Sequence, residues 1–220
     1  MEANNIIAVY NKNKQIALQE FDLFMNKTNT YMNKLAQDTN YYVGCDSKQL
    51  EKEVLSAMKE QCKGTSFLPD DIQLVSGQRF PDIIDSKHFG VEVKSPTENQ
   101  RVSTGSSIVE STRIEDVNHI YMLFGKLGGK PIEFKCKPYH NCLYDIAVTH
   151  SPRYLIDMEI TQERTIFSKM GIEYDKFRLS EDPISTVRSY YLEKIKKEKR
   201  MAMPWWIGSE TVTSPTLRLW

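Results

Sequence analysis

The sequence has no excess of either charge, since 29 Lys and Arg balance 29 Asp and Glu. That balance excludes a uniformly basic nucleic-acid coat protein and an acidic solvating chain, but it leaves room for a local basic face beside a local acidic site. No run approaches the roughly 20 apolar residues that cross a bilayer, and the opening MEANNIIAVYNKNK carries no charged-then-apolar leader with a small-residue cleavage site. No membrane role is expected. Cysteine is scarce, and Cys45, Cys62, Cys136 and Cys142 are too scattered for a disulfide scaffold, which points to reduced thiols in a cytoplasmic protein. Cys136, His140 and Cys142 resemble half a zinc site, but no second ligand pair follows at finger-like spacing. The sequence also contains no internal repeat and no low-complexity linker.

What remains is the composition of a folded protein. With 40% hydrophobic and 26% charged residues, 220 residues suffice for a buried core in one domain, since domains run up to about 250 residues. Ala17, Phe21, Phe24, Thr28, Tyr31 and Leu35 recur at three- and four-residue steps and predict an amphipathic helix within 12–37, as a core element or a dimer seam. A second helix is predicted in DSKQLEKEVLSAMKEQCKG, where Asp46 can cap with Gln49, Leu50, Val54 and Met58 form a stripe, and Gly64 closes the end.

The pattern then changes to short β-branched and aromatic runs between Gly, Pro and polar turns: IQLVSGQRFPDIID, HFGVEVKS, HIYMLFGKL, PIEFKCKPY, LYDIAVTH and RYLIDMEI. The Ser/Thr-rich STGSSIVESTRIEDV between two of them predicts a loop and a short crossover helix. Helical patterns return after residue 160, one ending at Gly171 and another opening at Pro183. The expected architecture is a mixed α/β (α+β) domain over 1–220. A central mixed β-sheet is flanked by helices, with its core at about 46–160 and helical additions at 12–37 and 161–220.

An acidic-x-Lys pattern is cheap, and its copies include Asp46 to Lys48, Glu92 to Lys94 and Glu133 to Lys135. Context distinguishes Glu92 and Lys94. In FGVEVKS the strand period sends them to one face while Phe89, Val91 and Val93 face the other. PDIIDSKHFGVEVK reads as an antiparallel hairpin turning near Ser86, Lys87 and His88. A three-residue tip pairs Asp82 with Glu92 and brings two carboxylates beside one lysine, whereas a two- or four-residue tip pairs Asp82 with Val91 and separates them. Asp85 is a rival acid at the tip. Two carboxylates with a main-chain oxygen suit Mg²⁺ and metal-assisted phosphodiester hydrolysis, with Lys94 beside the attacking water. The alternative is a turn at Asp82 and a solvated strand face.

PD followed by ExK across a hairpin, after a helix, resembles the PD-(D/E)xK nuclease superfamily, and the short chain is similar to type II restriction endonucleases. The resemblance covers roughly 46–125 and implies an αβββαβ core and a Mg²⁺-dependent endonuclease on double-stranded DNA. Asp82, Glu92 and the Val93 carbonyl are the implied metal ligands, Lys94 assists the water, and Glu51 joins from the preceding helix with Glu53 as its runner-up. A homodimer in a prokaryotic cytoplasm is implied too. A repair, recombination or nicking nuclease, or a non-catalytic DNA-binding module, are the alternatives.

For DNA contact, Arg101, Arg113 and the hydroxyls of Ser103, Thr104, Ser106, Ser107 and Thr112 follow directly after the ExK strand, with Gly105 permitting close main-chain approach. A second basic run holds Lys196, Lys197, Lys199 and Arg200, followed by Trp205 and Trp206. His140, His150 and Arg153 stand in turns or at strand edges, where Arg153 has the chemistry to read a guanine.

Overall fold

The Phe21, Phe24 and Thr28 stripe is buried in the computed structural model, which describes residues 9–11, 14–16, 18–38, 41–96, 98–148 and 151–197. A small hairpin, β1 (Val9–Asn11) with β2 (Lys14–Ile16), precedes helix α1 (Leu18–Leu35), so the helix begins later than residue 12. Met25 and Met32 join the stripe inside the protein, which makes it a core face and not a free seam for a second copy. Helix α2 (Ser47–Gln61) opens with a reciprocal cap. Asp46 accepts the Gln49 N–H at 2.8 Å, and the Gln49 side chain accepts the Asp46 N–H at 3.1 Å. Such caps contribute about 1 kcal/mol.

Strands β3 (Ile72–Leu74), β4 (Ile83–Asp85), β5 (Phe89–Lys94), β6 (Val102–Ser107), β7 (His119–Lys126), β8 (Glu133–Pro138), β9 (Leu143–Val148) and β10 (Pro152–Asp157) follow. They form a five-stranded sheet in the order β3-β4-β5-β7-β8 and a three-stranded sheet in the order β6-β10-β9. All pairs are antiparallel except β5 with β7. Short helices α3 (Ile166–Met170) and α4 (Tyr174–Arg178) and the longer α5 (Pro183–Lys197) complete the chain. Gly171 ends α3 with φ of 66°, a left-handed geometry that glycine adopts without strain. The architecture is mixed α+β with a central mixed sheet flanked by helices.

One expected element is corrected. The Ser/Thr-rich segment after β5 holds no crossover helix; it supplies β6 and then turns. Val102 and Thr104 favour strand, Gly105 disfavours helix, and β10 offers β6 a backbone partner.

The large sheet is buried on both faces. Along β7, Tyr121 and Leu123 join Phe89, Val91 and Val93 against α1 and α2, while Ile120, Met122 and Phe124 pack with Tyr139, Tyr154, Ile156 and the C-terminal helices. Each fully buried large apolar side chain contributes roughly 1.5–3 kcal/mol. Glu92 and Lys94 pair in register with Met122 and Phe124. Their face of the sheet is therefore the one covered by the second sheet.

Candidate active site

The β4–β5 hairpin sets the site. Ile83 pairs with Val91, Ile84 with Gly90 and Asp85 with Phe89, leaving Ser86, Lys87 and His88 as a three-residue tip. Ser86 and Lys87 adopt φ of 49° and 67°, taking the left-handed role usually given to glycine. Continuing this register by one step places Asp82 opposite Glu92, on the same face. The Val93 N–H donates to Asp82 Oδ2 at 2.8 Å, fixing the carboxylate against the neighbouring strand.

Gly90 has a specific part in this. A Cβ there would lie 2.4 Å from Pro81 Cγ and 2.9 Å from Val117 Cγ1, so only glycine lets Pro81 lie on β5 and aim the following Asp82.

Glu92 is buried, and Lys94 Nζ meets its Oε1 at 2.8 Å. Burial pushes the Glu92 carboxyl well above the usual carboxylate range; Lys94 opposes the rise, and Asp82, within hydrogen-bonding reach, adds to it. Burial pulls the Lys94 ammonium down, but Glu92 and then Asp82 overcome that and hold it above its ordinary value. Lys94 is therefore a cation and a hydrogen-bond donor. Glu51, half-buried near the start of α2, is raised by burial and by Asp82 and lowered by Lys94 and Lys48. Ser95 Oγ donates to Ser47 Oγ at 3.0 Å, which holds this end of α2 beside the end of β5. Glu53 faces elsewhere, accepting from the Tyr41 hydroxyl at 3.2 Å.

Asp85 lies three residues from Asp82 on the strand and so faces the other side, where it is fully buried. Its Oδ1 accepts the Ser86 hydroxyl at 2.8 Å, Oδ2 has no partner among the described residues, and burial pushes the group up to about 7.

The cations and hydroxyls expected to meet DNA are placed variously. Arg101 turns inward to Glu133 at 2.6 Å and Glu159 at 3.0 Å, with Lys126 and Lys135 on the same acids. Arg113 is buried against Glu110 at 2.5 Å and donates to the Tyr174 hydroxyl at 2.8 Å and the Val117 carbonyl at 2.9 Å. Ser106 is held through its N–H and hydroxyl by Tyr139, and Gly105 gives close approach to that same side chain, since a Cβ would lie 2.8 Å from Tyr139 Oη. Thr104 and Thr112 are exposed, and Ser103 and Ser107 are half-buried. Lys196 and Lys197 end α5. His150, Lys199, Arg200, Trp205 and Trp206 lie outside the described residues. Cys142 Sγ donates to the Tyr139 carbonyl at 2.9 Å, and the His140 ring stacks on Tyr174.

Two further groups lie near the carboxylates, Tyr139 without any motif signal and Lys48 in a copy of the acidic-x-Lys pattern that its context did not single out. Tyr139 is close enough to Glu92 to feel its charge, and Lys48 faces Glu51 from the capping turn of α2.

Among the described residues, no three His, Cys, Asp or Glu side chains form a preformed metal cage. The residues present nonetheless fit Mg²⁺, which binds through one or two carboxylates and keeps several waters. Asp82 and Glu92 converge, and the Val93 carbonyl leaves β5 from the same edge as the N–H that Asp82 accepts. No helix among the described residues is long and apolar enough to cross a membrane. In sequence comparisons, no protein-family profile and no curated protein matches the chain.

Proposed function

We propose that the protein is a Mg²⁺-dependent endonuclease of the PD-(D/E)xK type that hydrolyses phosphodiester bonds in double-stranded DNA, as a sequence-specific restriction enzyme does. The observation that carries this reading is the meeting of Asp82 and Glu92 on one sheet face beside Lys94, with Asp82 pinned by the Val93 N–H.

Asp82, Glu92 and the Val93 carbonyl would hold Mg²⁺, which when bound polarises a phosphate oxygen and acidifies water. Lys94, cationic through its contact with Glu92, orients the attacking water by donating to it and offsets charge developing on the phosphate. Glu51 adds negative charge from α2, and Glu92 must be ionised to act as a ligand. A homodimer suits the cutting of both strands of a two-fold symmetric site.

Incubation of mixed-sequence plasmid DNA with the protein, Asp82→Ala and Lys94→Ala, with and without Mg²⁺, tests the reading. Discrete metal-dependent fragments from the unmodified protein alone are expected. If it leaves DNA intact in Mg²⁺, or if both variants cut as fast, the assignment fails. Cleavage restricted to mismatched or branched DNA would replace restriction with repair.

A further inference from the structure

The site has a second wall. Strand β10 belongs to the three-stranded sheet that covers the Glu92 face, and its pairing with β6 slips by one residue. Arg153 lies opposite Ser107, but Leu155 lies opposite Thr104. The extra residue lies in β6, while β10 keeps an unbroken register with β9 through Arg153. The Ile108 N–H anchors the preceding Pro152 carbonyl at 3.1 Å, and Pro152 and Tyr154 are buried while Arg153 between them is exposed.

Three of the other cations are taken: Lys94 by Glu92, Arg101 by Glu133 and Glu159, Arg113 by Glu110. Arg153 takes no hydrogen bond or ion pair from the described residues, yet it stands close enough to Lys94 for the two charges to oppose each other. Two adjacent like charges, one without a counter-ion, are stabilised when an anion lies between them.

We infer that Arg153 grips a phosphate of the polynucleotide bound at the Asp82–Glu92–Lys94 site, from the sheet facing Lys94. This rests on the nuclease reading. The planar guanidinium matches two phosphate oxygens at once, a geometry that an ammonium does not reproduce. Its place beside the lysine of the reaction centre assigns it to the backbone being cut and not to a base edge.

The test measures binding of short duplexes of unrelated sequence to the unmodified protein, Arg153→Ala and Arg153→Lys, without Mg²⁺, across a series of salt concentrations. Cleavage in Mg²⁺ is followed in parallel. Arg153→Ala is expected to weaken binding roughly tenfold on every duplex and to make the log affinity against log salt shallower by about 0.9. Arg153→Lys is expected to restore the slope but only part of the affinity. Thermal melts of the three proteins should coincide, because the side chain is exposed. If Arg153→Ala keeps affinity and slope while the unmodified protein binds and cuts, the inference is overturned and the nuclease reading stands. A loss confined to one sequence makes Arg153 a base reader and also overturns it. If the unmodified protein neither binds nor cuts, both readings fall together.

Discussion

Asp82 is tied to the strand that carries its partner acid, its Oδ2 accepting the Val93 N–H at 2.8 Å. One oxygen is thereby given to the backbone, and the carboxylate is oriented before any ion arrives. Asp82→Asn keeps an acceptor but loses the charge, whereas Asp82→Ala loses both. Metal-dependent cleavage is expected to fall by at least about 100-fold in either variant. Only Asp82→Ala is expected to be less stable, by about 1 kcal/mol, from the lost hydrogen bond. Paired cleavage assays and denaturant melts check this, and equal stability of the two variants would show that the bond does not orient Asp82.

Glu51 and Glu53 differ in their surroundings. Glu51 shares the electrostatic surroundings of Asp82 and Lys94, while Glu53 pairs with Tyr41. Glu51→Gln should lower cleavage about 10- to 100-fold and raise the Mg²⁺ concentration needed for half-maximal rate, and Glu53→Gln should do neither. Mg²⁺ titrations of the cleavage rate decide, and matching titrations for both variants would remove Glu51 from the site.

Arg113 is a structural cation. Its guanidinium ties Glu110, Tyr174 and the Val117 carbonyl together in the interior. Removing it leaves Glu110 buried without a counter-charge, so Arg113→Ala is expected to cost about 3–5 kcal/mol. The salt dependence of DNA binding by the fraction that remains folded should not change. A stable Arg113→Ala protein with a shallower salt slope would return Arg113 to the DNA.

Asp85 makes stability depend on pH. Its ordinary value of 3.8 rises to about 7 in the fold, chiefly through burial, with Ser86 opposing and Asp71 adding. Between those values the folded state keeps a proton that the unfolded chain releases. This contribution is complete below 3.8 and is lost as pH rises to about 7, at up to about 1.4 kcal/mol per pH unit. Asp85→Asn should flatten the stability curve across that window, as read from denaturant midpoints. An Asp85→Asn protein with the same pH slope as the unmodified one would exclude this carboxyl as the source.

Gly90→Ala tests how Asp82 is aimed. The added methyl would collide with Pro81 and Val117 on either side, displacing the residue that precedes Asp82. Overpacking of this kind costs about 1–3 kcal/mol. Cleavage at a temperature where the variant is fully folded should also fall. Full activity in a folded Gly90→Ala protein would mean that Pro81 does not set the position of Asp82.

The local parts of this structure were legible in the chain. Asp46 with Gln49, the Leu50–Val54–Met58 stripe and the alternation in FGVEVKS are written within a few residues of each other, and each corresponds to an observed cap, helix face or strand face. The three-residue tip was legible only as one of several registers, because Ser86 and Lys87 supply the left-handed geometry without a glycine. Strand β6 was not legible, since VSTGSS gains its regularity from β10, some fifty residues later in the chain. The fates of Arg101 and Arg113 were hidden for the same reason. Exposed cations and internal ion pairs look alike until Glu133, Glu159 and Tyr174 are brought beside them.

The slipped pairing of β6 and β10 also bears on the order in which the protein can become competent. The two carboxylates meet through a hairpin of neighbouring residues, a contact of low sequence separation that closes early and cheaply. The wall carrying Arg153 must await strands far along the chain. On the proposed reading, the acidic half of the site is assembled during synthesis while the wall carrying Arg153 is still missing, so the emerging polypeptide would not enclose a phosphate until β10 has docked.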